Sequence, residues 1–133
     1  PAGSAVRADA LTIAQRLEFY LKASTEGLEM QPRLPGCGRI NACYADLLVD
    51  RELIEVKMSR TIFRCADLRQ LLVYAALLFE EGRRQVDHLS LVNPRLGVAW
   101  RFPAAELIGH LAGCSPAEFY QELIAFACHA DDA

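Results

Sequence analysis

The stretch 45-ADLLVDRELIEVK-57 decides the fold, because it places charged side chains on two short segments that otherwise have the composition of buried strands. Ala45–Val49 and Leu53–Met58 are rich in leucine, isoleucine and valine, and a short turn around residues 50–52 separates them. Two such segments around a tight turn predict a β-hairpin. The question is whether the charged side chains of this hairpin are ordinary solvent-exposed residues or form a metal site.

Strand parity gives two possible answers. Side chains alternate along a strand, so Glu55 and Lys57 share one face of the second strand. Paired residue numbers in an antiparallel hairpin have a constant sum. An odd sum, which a two- or four-residue turn produces, places Asp46 opposite Glu55 or Lys57 and brings all three charges together. An even sum sends Asp46 to the other face, and no site forms.

The convergent arrangement has a chemical meaning. Two carboxylates a few ångströms apart repel each other unless a cation lies between them. Oxygen ligands select Mg²⁺, Mn²⁺ or Ca²⁺, and such a metal binds a phosphate oxygen and acidifies a bound water. Lys57 reaches the same space as Asp46 and Glu55. The pattern therefore predicts phosphodiester hydrolysis, and the alternative is a solvated Glu-x-Lys pair on an ordinary hairpin.

The rest of the chain predicts a two-layer α/β domain. The other predicted elements are a helix over Leu11–Ala23, a loop over residues 24–38, a helix over Cys65–Glu81 that ends at Gly82, strands over Val86–Val92 and Val98–Phe102, a short helix over Pro103–Leu111 and a helix from Pro116 to about Cys128. Ile40–Tyr44 either extends the first hairpin strand or forms its own. The order α-β-β-α-β-β-α-α favours a mixed sheet with helices on its faces.

The composition fits one domain. The chain has 133 residues, of which 53% are hydrophobic and 23% charged. Residues 1–9 are interpreted as a linker or an expression remnant, and residues 10–133 as a single domain. No apolar run is long enough to cross a membrane. The five cysteines form no CxxC pair, which argues against a zinc or iron–sulfur site and predicts buried, reduced thiols in a cytoplasmic protein.

Positive charge is concentrated in the middle of the sequence. Residues 33–101 contain eleven Lys/Arg and eight Asp/Glu, a net charge of +3, whereas residues 102–133 contain five Asp/Glu and no Lys/Arg. Twelve of the fourteen basic residues are arginines, which suits bidentate phosphate contacts. The middle of the chain is therefore the part expected to face a polyanion.

The helix after the hairpin carries a polar pair. Gln70 and Tyr74 are four residues apart and share a face, with Asp67 near the same face. This pair is expected to contact the charged face of the hairpin. Alternatively, Tyr74 is a core aromatic residue whose hydroxyl is exposed to solvent, and Gln70 is a surface residue.

Taken together, Asp46, Glu55-Val56-Lys57 and Gln70-Leu71-Leu72-Val73-Tyr74 resemble the PD-(D/E)xK nuclease superfamily, in particular its RecB-like branch with a QxxxY motif. The motifs occur in the family's order and on the expected strand, strand and helix. The resemblance covers residues 10–92. It implies a restriction-endonuclease-like αβββαβ core, with the last two helices as additions. Ala45 stands where the family pattern has proline.

The resemblance also implies roles. Asp46, Glu55 and the Val56 carbonyl would bind Mg²⁺ or Mn²⁺, Lys57 would assist the attacking water, and Gln70 and Tyr74 would position the site or contact DNA. The nucleic-acid-binding candidates are Arg39, Arg60, Arg64 and Arg69, and Glu18 is a candidate additional carboxylate from the first helix.

The function implied is that of a nuclease acting in defence or repair, with DNA as substrate and RNA as the alternative. A homodimer or a partner protein would then supply specificity. Two other hypotheses stay open at this point. One is a non-catalytic nuclease-fold domain that binds nucleic acid or assembles with proteins, and the other is an unrelated α/β interaction domain whose hairpin charges are solvated.

Overall fold

The structure is a computed structural model that describes residues 2–21, 28–34, 36, 40, 43–82 and 85–129. Its elements are α1 (Ala2–Leu21), β1 (Leu28–Met30), β2 (Arg33–Leu34), β3 (Cys43–Tyr44), β4 (Leu47–Val49), β5 (Glu52–Val56), α2 (Cys65–Glu81), β6 (His88–Asn93), β7 (Val98–Pro103), α3 (Ala104–Ala112) and α4 (Pro116–His129). No helix formed by these residues combines the length and the apolar character that a bilayer span requires.

Five strands form one mixed sheet in the order β1-β4-β5-β6-β7. β5 and β6 are parallel, and every other neighbouring pair is antiparallel. A parallel pair needs a crossover connection, and α2 supplies it. β2 and β3 form a separate two-stranded ribbon. The prediction of an α/β fold with a mixed sheet and flanking helices is therefore confirmed.

The β4–β5 hairpin closes with a two-residue loop. Val49 pairs with Glu52, which leaves only Asp50 and Arg51 between the strands. Asp50 has a φ of 52°, in the left-handed region that aspartate tolerates better than most residues. A two-residue loop with positive φ matches the twist of the flanking strands, so Asp50 sets the register of the hairpin.

Strand alternation sorts the sheet residues onto two faces. Leu48, Leu53, Leu89 and Leu91 pack in the main core, together with apolar residues of α2. Leu47, Val49, Ile54 and Val92 form a smaller cluster on the opposite face. Each fully buried leucine contributes about 2 kcal/mol from apolar burial, so this division strongly opposes a one-residue slip.

α2 has well-defined ends. Asp67 Oδ2 accepts a hydrogen bond of 2.8 Å from the Arg64 N–H, which anchors the first turn. Gly82 ends the helix in the left-handed conformation, with φ 70°, and its N–H donates to the Phe79 carbonyl at 3.0 Å. The predicted bounds of this helix are confirmed at both ends.

The C-terminal helices complete the main core. Ile108 of α3 and Tyr120 and Ile124 of α4 are buried in it. Ser115 Oγ accepts a 3.3 Å hydrogen bond from the Glu118 N–H, and Pro116 is the first residue of α4, as the sequence predicts. α4 packs on α2, so these helices lie on the same side of the sheet as α2.

Several expectations about the N-terminal part are corrected. α1 begins at Ala2 rather than at Leu11. β1 and β2 lie where the sequence predicts a loop, because strands this short are held by pairing with distant residues rather than by local propensity. Of the two alternatives for Ile40–Tyr44, the structure supports a strand of its own, since Cys43–Tyr44 forms β3 and pairs with β2.

The expectation of buried, reduced cysteines is also wrong in part. Cys128 is disulfide-bonded. Cys43, Cys65 and Cys114 are free thiols, but Cys65 is exposed and the other two are only half-buried.

Candidate metal-binding and catalytic site

The hairpin register brings the predicted carboxylates together. Leu47 pairs with Ile54, so paired residue numbers add up to an odd number and Asp46 lies opposite Glu55. The Asp46 N–H donates to Glu55 Oε1 at 3.0 Å, and the Val56 N–H donates to Asp46 Oδ2 at 2.8 Å. Each carboxylate is thus fixed by a backbone N–H of the opposite strand. The odd register on which the predicted site depends is confirmed.

Glu55 is the most strongly perturbed carboxyl of the site. The residue is only 4% exposed, although it carries an acidic group. The pKa of Glu55 is raised from 4.5 to about 7; burial is the largest cause, and the nearby Asp46 carboxylate contributes to the same rise. The Asp46 N–H and the Lys57 charge act in the opposite direction. At neutral pH the pair therefore needs a proton or a cation to balance its charge.

Lys57 is held beside the carboxylates by α2. Its Nζ donates a 2.9 Å hydrogen bond to Gln70 Oε1 and lies 3.5 Å from Asp67 Oδ1. Gln70 Nε2 in turn donates to the Tyr74 hydroxyl at 2.8 Å. These contacts fix one rotamer of a long and otherwise mobile side chain. The expected contact between the Gln-Tyr pair and the charged hairpin face is confirmed.

Tyr74 lies within the electrostatic field of the carboxylate pair. Burial raises the pKa of the Tyr74 hydroxyl, and the charges of Glu55, Cys43 and Asp46 add to the effect, while the hydrogen bond from Gln70 lowers it. The hydroxyl therefore stays protonated at neutral pH. Its oxygen already accepts from Gln70, so its own proton is available to an acceptor in the site.

The groups with suitable chemistry for a metal ion are two carboxylates and a carbonyl. Asp46 and Glu55 each use one oxygen to accept a backbone N–H. A strand residue directs its N–H and carbonyl to the same side, so the Val56 carbonyl points toward Asp46. Within the described part of the chain, no three His, Cys, Asp or Glu side chains converge as a metal centre. The donor set fits a hard cation that keeps several waters, such as Mg²⁺.

The other predicted residues that the structure describes make no contact with this centre. Glu18 is exposed on α1, and none of the contacts between described residues connects it to the carboxylates. Arg60, Arg64 and Arg69 are exposed around α2 and the loop before it, without contacts to Asp46 or Glu55. Arg39 lies outside the described residues.

Two residues near the site carry no role in the sequence prediction. Asp67 both caps α2 and pairs with Lys57. Its position in the first turn of a predicted helix is a signal that indicates the cap but not the ion pair. Cys43 is the second of these residues. Burial raises the pKa of its thiol, and the charge of the neighbouring Glu55 also raises it. No sequence pattern predicts that Cys43 lies near Glu55, because β3 is placed by its pairing with β2 and not by a local signal.

Comparison with known proteins adds no further information on the site. No family model, curated protein or solved structure matches the chain.

Proposed function

We propose that this protein is a metal-dependent nuclease that hydrolyses phosphodiester bonds, with DNA as its substrate. The observation that carries the proposal is the convergence of Asp46, Glu55 and Lys57 on one face of the hairpin, beneath Gln70 and Tyr74. A solvated surface pair would leave these side chains exposed and independent of each other. Here each carboxylate is hydrogen-bonded to a backbone N–H of the facing segment, Lys57 is hydrogen-bonded to Gln70, and Glu55 is buried.

The order of the elements supports the resemblance to the PD-(D/E)xK superfamily. α1, then β1, β4 and β5 of the main sheet, then α2 and β6 follow the αβββαβ order that the resemblance predicts. The ribbon of β2 and β3 is inserted between the first and second of these strands. The three motifs lie on β4, β5 and α2 or directly beside them, as the family pattern requires.

The proposed cofactor is Mg²⁺ or Mn²⁺. Asp46, Glu55 and the Val56 carbonyl would bind the ion on the open side of the carboxylate pair. When bound, such an ion supplies Lewis-acid activation of the phosphodiester and of water. The raised pKa of Glu55 supports a cation site, because burial and the Asp46 carboxylate both disfavour the charged form, and a bound cation would stabilise it.

Lys57 is proposed to act on the reacting groups. Its ammonium group donates to Gln70 and has further protons directed into the site. It would hold the attacking water and stabilise the negative charge that develops on the phosphate. Gln70 and Asp67 are proposed as positioning residues, because they hold the Lys57 amine without reaching the carboxylates.

A cleavage assay tests the proposal. Plasmid, linear duplex, single-stranded and branched DNA, and RNA, are incubated with the protein in Mg²⁺, Mn²⁺ or a chelator. Wild type is expected to cut DNA only with the metal, and Asp46→Asn and Glu55→Gln to lose this activity. Lys57→Ala is expected to slow cleavage by at least about 100-fold. Glu52→Gln is the matched control, because Glu52 lies on the other face of the same strand and pairs with Arg101.

The outcomes separate two functions. If Lys57→Ala and Glu55→Gln cut as fast as wild type, the proposed site is wrong. If wild type binds Mg²⁺ or nucleic acid but cleaves none of the substrates, the non-catalytic nuclease-fold domain becomes the better conclusion. That second candidate is favoured by one observation, namely that each carboxylate accepts a backbone N–H of the facing segment and so joins the two segments of the hairpin.

A further inference from the structure

A second concentration of charge lies where α1 meets the turn between β6 and β7. A cavity of about 390 Å³ opens there, and Arg16, Arg60 and Arg95 line it together with Thr12 and Asp9. The three arginines come from three separate segments of the chain, namely α1, the loop after β5 and the β6–β7 turn. We call this cavity, defined by Arg16, Arg60 and Arg95, the arginine cleft.

The arginines of the cleft form no ion pairs with the described residues, in contrast to two other arginines of the chain. Arg51 pairs with Asp87 at 2.8 Å, and the Arg101 guanidinium pairs with Glu52 at 2.6 Å. By contrast, among the described residues no carboxylate forms an ion pair with any arginine of the cleft. Three arginines and one carboxylate, that of Asp9, line the cleft, so its described lining carries an excess of positive charge, which attracts an anion.

Arg16 is fixed in the cleft rather than free to move. One of its terminal nitrogens donates to the carbonyls of Pro94 and Arg95, each at 3.0 Å. Its guanidinium also lies against Gly97, where a Cβ would come within 3.3 Å of it. These contacts are with neutral groups, so they orient the guanidinium without neutralising its charge. The remaining N–H donors of Arg16 are left to contact a ligand.

A buried asparagine holds the other two arginine-bearing segments together. Asn93 is 0% exposed, and its Nδ2 donates to the Ser59 carbonyl at 2.8 Å. Its Oδ1 accepts from the Leu96 N–H at 3.1 Å. Asn93 therefore fixes the loop that carries Arg60 against the turn that carries Arg95.

The same strand connects the cleft to the carboxylate pair. The residue before Asn93 is Val92, whose carbonyl accepts a 2.8 Å hydrogen bond from the Lys57 N–H. Lys57 and Arg60 are three residues apart on one segment, so the cleft and the proposed reaction centre are adjacent along the chain. A ligand that reaches both sites would place an anionic group in the cleft.

We propose that the arginine cleft binds phosphates of a nucleic-acid backbone on the same strand that enters the Asp46–Glu55 centre. This inference rests on the proposed nuclease function for the identity of the ligand. Arginine suits the role because its planar fork forms two parallel hydrogen bonds to a phosphate. The cleft thus holds the substrate away from the reacting bond and contributes to affinity rather than to the chemical step.

A binding experiment tests the cleft separately from cleavage. Fluorescence anisotropy follows short labelled DNA, duplex and single-stranded, and RNA of the same sequence, in a chelator and over a range of salt concentrations. Wild type is compared with the double variant Arg60→Gln/Arg95→Gln. Loss of two phosphate contacts is expected to reduce the slope of log affinity against log salt by about 2, and to weaken binding about 50-fold at about 0.1 M salt.

The matched control removes the same charge elsewhere. The double variant Arg51→Gln/Arg101→Gln also loses two positive charges, but these arginines are paired with carboxylates outside the cleft. It is expected to keep the salt slope of wild type. If both double variants weaken binding equally, net charge and not the cleft is responsible, and the inference is overturned.

The results also separate the cleft from the nuclease proposal. Specific loss of binding in the cleft variant, with no cleavage by wild type, supports the cleft and refutes the nuclease. Metal-dependent cleavage together with unchanged binding by the cleft variant refutes the cleft alone. Wild type that binds none of the three nucleic acids in the chelator also overturns the inference. The comparison of DNA with RNA decides which backbone the cleft accepts.

Discussion

The buried carboxylate pair predicts an unusual effect of the substitution Glu55→Gln on stability. Glutamine keeps the oxygen that accepts the Asp46 N–H but cannot ionise. In the wild type, the folded state holds a proton on Glu55 up to a pH of about 7, whereas an unfolded chain releases it near 4.5. Without a metal, the wild type must therefore lose stability as the pH rises through this window.

The magnitude follows from the two pKa values. Each tenfold change in proton affinity is worth about 1.4 kcal/mol, so a pKa moved from 4.5 to about 7 corresponds to about 3 kcal/mol. The unfolded state binds fewer protons than the folded state between these pKa values, so the free energy of unfolding falls with rising pH there and is flat above it. Glu55→Gln is expected to match wild type at a pH below 4.5 and to exceed it by up to about 3 kcal/mol above pH 7.

Urea unfolding in a chelator measures the difference between the two proteins at each pH. Other titrating groups are common to both and cancel in the difference. Glu80→Gln is the control, because Glu80 is exposed on α2, and its difference from wild type should stay within about 0.5 kcal/mol at every pH. In Mg²⁺ the advantage of Glu55→Gln should shrink, because the ion stabilises only the folded protein with both carboxylates.

One result would refute this reasoning. If the difference between wild type and Glu55→Gln in the chelator is constant from about pH 5 to about pH 9, the Glu55 carboxyl is not desolvated beside Asp46. The charge argument for a cation between the carboxylates would then fail as well.

Four other substitutions test the structure at separate points. Gln70→Ala should lower the cleavage rate roughly tenfold, because Lys57 loses its hydrogen-bond partner, and should leave the urea midpoint unchanged. An unchanged cleavage rate would show that Gln70 has no role in the site. Tyr120→Phe should raise the free energy of unfolding by about 1 kcal/mol, since the buried Tyr120 hydroxyl has no hydrogen-bond partner among the described residues; a loss would indicate a partner. Gly82→Ala should destabilise by about 1 kcal/mol because Gly82 has φ 70°, while Gly109→Ala, where a Cβ meets no atom within 4 Å, should stabilise by about 0.5 kcal/mol. Thermal unfolding of the two glycine variants measures their melting temperatures relative to wild type. Equal changes in melting temperature would contradict the left-handed conformation of Gly82.

The local spacing of apolar residues was sufficient to predict the bounds of an element whose apolar stripe and end signals lie within its own segment. α2 has the predicted bounds, because its leucine stripe, its acidic first turn and Gly82 are all signals within one segment. β1 and β2 have no such signal. They consist of three and two residues in a segment rich in glycine and proline, and they exist because other strands pair with them.

The sequence determined the face that each charged side chain could take, since the alternation of a strand is a local property of the backbone. It therefore predicted that Asp46, Glu55 and Lys57 either meet or are divided between two faces. Only the tertiary structure decided between these outcomes, because the register depends on the left-handed conformation of Asp50 in the hairpin loop.

The electrostatic character of the site was also decided by tertiary structure. Glu55 is buried because α2 and the sheet enclose it, and desolvation by distant residues cannot be read from its neighbours in sequence. The same reason applies to the arginine cleft. Arg16, Arg60 and Arg95 are far apart in the chain, and the hydrogen bonds of Arg16 to the β6–β7 turn and the buried contacts of Asn93 bring them together.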